Sequence, residues 1–75
     1  MLNIGDRVKI GNVKYQSVLQ NKLNAGRTGV ITKRWFWLTG TANYEVTLDE
    51  PYRFQGCTIT SADFSEADDA LERIA

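Results

Sequence analysis

Apolar and polar residues alternate along this chain in short bursts, separated by glycine, asparagine and one proline. The first burst is Asp6-Arg7-Val8-Lys9-Ile10, preceded by Ile4. A period of two puts Ile4, Val8 and Ile10 on one face and Arg7 and Lys9 in water. Gly5-Asp6 and Gly11-Asn12 are turn residues and mark the two ends. A second turn, Gly26-Arg27-Thr28-Gly29, feeds the β-branched and aromatic run Val30–Trp37. Straight alternation there places Ile31, Lys33, Trp35 and Trp37 on one face, and Val30, Thr32, Arg34 and Phe36 on the other. Leu38–Asn43 closes a hairpin onto Tyr44–Leu48, where Tyr44, Val46 and Leu48 alternate with Glu45 and Thr47. Asp49-Glu50-Pro51 ends that strand, since proline has no amide hydrogen for a ladder. Tyr52–Thr60 reads as a fourth strand, with Gly56 at a bend or bulge.

Two segments carry a different pattern. Between Gly11 and Gly26, Ser17–Asn24 has the makings of a helical turn capped by Ser17, with Leu19 and Leu23 on one face. A connection this long in a small domain is either packed down by those leucines or part of a site. Near the C-terminus, Ser65-Glu66-Ala67-Asp68 has the form of a capping box with Asp in place of Glu. Ala67, Ala70, Leu71 and Ile74 then follow at helical spacing. Four strands alone leave open sheet edges, which a fifth would close. The sequence therefore predicts a short 3₁₀ or α turn around 62–69 and a short strand over 71–74.

Composition narrows the chemistry. The 75 residues fit one domain, 1–75, with a small core: such a chain buries only about 60% of its unfolded surface. No apolar run is long enough to span a membrane. The opening Met1–Asp6 has neither the basic start nor the apolar stretch of a signal peptide, and lone Cys57 cannot form an intrachain disulfide, so the chain reads as cytoplasmic. The sequence has no His. That removes Ser-His-Asp and Cys-His catalysis, and one Cys cannot build a zinc site. The acids Glu66, Asp68, Asp69 and Glu72 lack the glycine and alternating oxygens of a calcium loop. No metal or cofactor is expected, and a catalytic role is disfavoured. Net charge is zero but segregated: seven basic residues and one acid up to Tyr44 give +6, while eight acids and two arginines after it give −6. Either the strands interleave the two halves, or the charges pair between subunits, or the basic half forms an anion-binding face.

The candidate contact residues follow from these patterns. Aromatic side chains on both faces of Lys33-Arg34-Trp35-Phe36-Trp37 exceed what one side of a small sheet can bury. Three readings stay open: core and loop packing under Leu19 and Leu23, a subunit interface, or a ligand surface. Tyr52 and Phe54 extend the same aromatic surface or form a separate hairpin-end cluster. Arg7, Lys9, Lys33 and Arg34 are the candidate anion contacts. Cys57 reads as a small buried apolar residue.

Gly5-Asp6-x-Val8-x-Ile10 followed by Gly26-x-x-Gly29-Val30-Ile31 resembles the entry of KOW-type barrels, members of the SH3-like small-barrel superfamily. A second resemblance is to the type II, plasmid-borne dihydrofolate reductases. They share Gly5-Asp6-Arg7-Val8, the Gly29-x-Ile31…Tyr44-x-Val46 spacing and the tail Ala70-Leu71-Glu72-Arg73-Ile74. That likeness implies an all-β, five-stranded SH3-like barrel with a long first loop, a short helical turn before the last strand, and self-association. It also implies an origin on a mobile gene cassette. In those tetrameric enzymes a Val-Gln-Ile-Tyr strand motif lines a pore that binds folate and a nicotinamide cofactor, aided by a Lys. Here the counterpart is Cys57-Thr58-Ile59-Thr60, in which only the Ile matches, and Lys9 or Lys14 stands nearest to the Lys. The sequence thus points to a non-catalytic binding or adaptor module acting through the Trp35/Trp37 region and the first loop. Its expected partner is a protein or peptide, including further copies of itself. KOW-like nucleic-acid binding and a divergent type II reductase are the alternatives.

Overall fold

The computed structural model describes residues 2–13, 18–38 and 40–74. Its elements are β1 (Arg7–Ile10), α1 (Val18–Asn24), β2 (Thr28–Phe36), β3 (Ala42–Phe54), β4 (Cys57–Ser65), a 3₁₀ turn (Glu66–Asp68) and β5 (Leu71–Arg73). The strands form one antiparallel five-stranded sheet in the order β4-β3-β2-β1-β5. Val8 of β1, Ile31 of β2, Tyr44 and Val46 of β3 and Phe64 of β4 are all buried in one cluster. A single sheet can bury residues from strands that far apart only by curling, so one face becomes the interior and the other meets water. The fold is all-β, as the alternation predicts. Lys14 and Ser17, the expected loop cation and helix cap, lie outside the described residues.

β3 sets the two faces. Its even-numbered residues Ala42, Tyr44, Val46 and Leu48 are buried, and Tyr52 packs against the same core. Partners directly opposite in a ladder share a face, so each neighbouring strand must present its apolar residues opposite these. β2 does so for Ile31, opposite Val46. The register then shifts at Thr32, and Lys33, Arg34, Trp35 and Phe36 stand opposite Glu45, Tyr44, Asn43 and Ala42. One extra residue reverses which face each later side chain occupies. The straight alternation read from the sequence is therefore corrected beyond Ile31. Lys33 and Trp35 lie on the outer face, while Arg34 and Phe36 continue the inner row. The bulged Thr32 is held by its hydroxyl, 2.9 Å from that of Thr47 and 3.3 Å from the Glu45 carbonyl.

A second irregularity separates Thr47↔Ser61 from Tyr52↔Ile59, setting four β3 residues opposite Thr60 alone. The odd offset turns both Tyr52 and Ile59 toward the core. Pro51 sits inside this interruption, where no ladder bond is lost, so it does not end the strand. The expected fourth strand, 52–60, is instead the hairpin joining β3 to β4. Its turn is Gln55-Gly56, both at positive φ (51° and 80°), the conformation of a tight two-residue turn. Cys57 beside it is exposed rather than buried.

The ends of the chain show which local signals prevail. Asn3–Asp6 forms a turn closed by the Asp6 amide on the Asn3 carbonyl (3.1 Å) and the Asn3 amide on the Asp6 carboxylate (2.8 Å). That turn lifts Ile4 out of the β1 alternation into solvent, and Leu2 packs on the core in its place. The capping box at the other end is formed: Ser65 accepts from the Ala67 amide, and Asp68 accepts from the Ser65 amide at 2.8 Å. Asp69, at φ 50°, ends the turn, and β5 pairs with β1 from Ile10↔Leu71 to Val8↔Arg73. Ladder bonds to β1 override the helical spacing of the tail.

Gly29 is a position where only glycine fits. A β-carbon there would meet the Thr47 carbonyl of β3 and lie 2.7 Å from Val46 Cγ1. Gly29→Ala is expected to cost about 1–3 kcal/mol through overpacking, read as a lower denaturation midpoint with an unchanged slope. An unchanged midpoint would contradict this close approach of β2 to β3.

Candidate functional site

The aromatic residues singled out from the sequence divide between two ends of the sheet. Trp35, Phe36 and Trp37 lie where β2 turns into β3, and Tyr52 and Phe54 lie at the other end of β3. The hairpin between β2 and β3 is closed by the Gly40 amide on the Trp37 carbonyl (2.8 Å) and the Trp37 amide on the Thr41 carbonyl (3.2 Å). The inner row of β2 outruns the core here: Phe36, beyond Arg34, is 55% exposed. Trp37 is 61% and Leu38 108% exposed, whereas Trp35 is half-buried on the outer face. Single exposed apolar residues are ordinary, but three consecutive large ones at a hairpin tip are not. The sequence shows Leu38 only as a turn residue. Among the described residues it has no packing partner.

Tyr52 has a different role. Arg27 lies over its ring at 3.8 Å from the centroid, and its hydroxyl donates to Asn24 Oδ1 at 3.3 Å. Arg27 also donates through Nε to the Leu23 carbonyl at the end of α1. Asn21 grips the Val13 backbone in both directions, accepting from the amide (2.8 Å) and donating to the carbonyl (3.1 Å). The first loop is therefore anchored to β3 by polar and cation–π contacts. Leu19 stays exposed and Leu23 is half-buried. α1 stands at the Thr28 end of β2, away from Trp35–Trp37, so the two leucines do not cover the tryptophan strand. The described residues of the loop supply no shared surface with the hairpin tip.

The candidate anion contacts do not form one basic track. Arg7 donates both terminal nitrogens to Asp49, at 3.2 and 2.6 Å, and the Thr28 hydroxyl donates to the same carboxylate at 2.6 Å. Lys33 lies 3.6 Å from Glu45. Arg34 is on the opposite face of β2, donating to the Leu2 carbonyl (3.3 Å) and Asn3 Oδ1 (3.0 Å). Lys9 shares the outer face with Arg7, opposite Glu72 of β5. Arg7 and Lys33, from the basic half, thus pair with Asp49 and Glu45 from the acidic half. Strand interleaving mixes the two charge blocks that the sequence keeps apart.

The Arg7 and Thr28 hydrogen bonds hold the Asp49 carboxyl below the ordinary carboxylate range. A depressed carboxylate contributes stability above its unfolded pKa, and that contribution is lost as pH falls through the folded value. Asp49→Asn is expected to lower the denaturation midpoint at neutral pH, with the gap to the native chain closing in acid. Parallel curves across the acid range would show that Arg7 is free of Asp49. Comparison of the chain with family profiles, curated proteins and solved structures finds no match.

Proposed function

We propose that this protein is a non-catalytic, self-associating binding module of the SH3-like small-barrel kind, working in the cytoplasm. Its contact surface is the tip of the β2–β3 hairpin, formed by Phe36, Trp37 and Leu38 with Trp35 behind them. The observation that carries this reading is the run of three consecutive exposed apolar residues, two of them aromatic, at the tip of the hairpin. Trp is enriched at the centres of protein interfaces, where a large rigid ring loses little entropy on burial.

The occupant is a second copy of the chain. Net charge is zero, so no long-range repulsion keeps copies apart. Fully exposed aromatic side chains offer about 150–250 Å² each. The partly exposed tip therefore contributes roughly 400 Å² per copy, or about 800 Å² per pair, below the ~1,200 Å² of standard stable interfaces. The association is accordingly weak and concentration-dependent. A protein or peptide partner that presents apolar residues to this patch would compete with the second copy.

Sedimentation of the full chain over a dilution series, with tryptophan fluorescence recorded alongside, tests the reading. Mass is expected to rise with concentration as the tryptophan emission moves to the blue. Trp37→Ser or Leu38→Ser should weaken association by about tenfold or more. A monomer at every concentration, with tryptophan emission red-shifted and open to quenching, would refute it.

A further inference from the structure

The seam between β4 and β5, the two edges of the curled sheet, holds a cleft of about 370 Å³. We propose that this cleft binds a small organic cation, an ammonium or guanidinium group on a short apolar stem. Its apolar wall comes from Leu2, Ala70 and Leu71, and Tyr44 also lines it. Tyr44 is 1% exposed, and among the described residues its hydroxyl makes no hydrogen bond. Buried polar groups are nearly always paired, so an unpaired phenol at a cleft wall marks a place where a ligand atom completes the bonding. Burial first, and the nearby Glu66 carboxylate second, raise the Tyr44 pKa against the smaller opposing pull of Arg34, so the phenol is neutral.

The charge at the cleft gives the sign of the ligand. Glu66 and Asp69 line it, and among the described residues neither carboxylate is in an ion pair or a side-chain hydrogen bond. Asp68 between them is committed to the Ser65 amide and serves the turn instead. Arg73, also on the lining, lies 3.1 Å from Asp6, which balances its charge. Arg34, opposite Tyr44 in the ladder, brings one positive charge near the phenol and donates to the Leu2 carbonyl and Asn3 Oδ1. Against it stand the two carboxylates of Glu66 and Asp69, which leave the cleft with an excess of negative charge. Among the described residues no group of three or more acids, cysteines or histidines is placed to hold a metal ion. An organic cation needs no such group: two carboxylates at the mouth, an apolar wall for the stem and one phenol oxygen to accept an N–H suffice. The tip of the β2–β3 hairpin takes no part in this site.

The test is a titration of the isotope-labelled full chain, followed by backbone amide NMR at constant ionic strength. The probes are n-butylammonium and, as a neutral analogue of the same shape, n-butanol. Butylammonium is expected to move the amides of Tyr44 and of residues 65–71 saturably, with an affinity about tenfold or more above that of butanol. The paired change Glu66→Gln and Asp69→Asn should erase the preference for the cation while leaving butanol binding unchanged. Tyr44→Phe, which keeps the ring in the core, should weaken butylammonium about threefold or more. The amide spectrum of each variant reports that it is folded. Equal binding of the two probes, shifts centred on other residues, a cation preference that survives the paired change, or no saturation would each overturn the proposal.

Discussion

The inner row of β3 is the constraint on which the rest of this structure depends. Ala42, Tyr44, Val46 and Leu48 hold one face of a single sheet without interruption, and Tyr52 continues it past Pro51. A domain of this size has one core and no second layer to cover a misdirected strand. Every neighbour must therefore match β3 residue by residue. Neither adjoining strand does so in a straight ladder. β2 inserts Thr32, and β4 runs past four β3 residues with one of its own. Each offset is odd, and an odd offset is what exchanges the faces of a strand. The bulges are thus the means by which sequences with imperfect alternation fill one core.

The surface features descend from those offsets. Had β2 run straight, Trp35 would have stood opposite Ala42 in the inner row, and Phe36 would have faced water. With Thr32 inserted, Phe36 takes that place, beyond the last well-packed layer, while Trp35 flanks the hairpin on the outside. The exposed tip is what remains when the inner row is longer than the core it serves. The same curling leaves β4 and β5 unpaired at the seam, so that the Tyr44 phenol, buried with its ring, opens on a cleft rather than on another strand.

Much of the fold is legible in the sequence where a local rule and the tertiary arrangement agree. The alternations of β1 and β3, the hairpin through Gly40, the Ser65–Asp68 cap and the terminal strand 71–73 are of this kind. What is not legible is parity across a bulge. Nothing in Ile31-Thr32-Lys33 marks Thr32 as the extra residue, because only the facing β3 row creates the mismatch. Pro51 misleads for a related reason: its missing donor matters only where a ladder exists, and there the ladder is interrupted. Gln55 gives no hint of positive φ, although Gly56 beside it does. Of the candidate contacts, the exposure of Trp37 and Phe36 follows from an excess of aromatic residues. The separation of Tyr52 and Phe54 from them, and the pairing of Arg7 with Asp49, follow only from the three-dimensional path. The Tyr44 site was invisible because its signal is a missing hydrogen bond.

The face reversal at Thr32 is open to direct measurement through nuclear Overhauser contacts between β2 and β3 in the labelled chain. Cross-strand contacts are predicted between Arg34 and Tyr44, Trp35 and Asn43, and Phe36 and Ala42, with the Phe36 ring near the Ala42 methyl. A straight ladder, with Lys33 opposite Tyr44 and Trp35 opposite Ala42, would contradict the account, turning Trp35 into the inner row and Phe36 to the outer face.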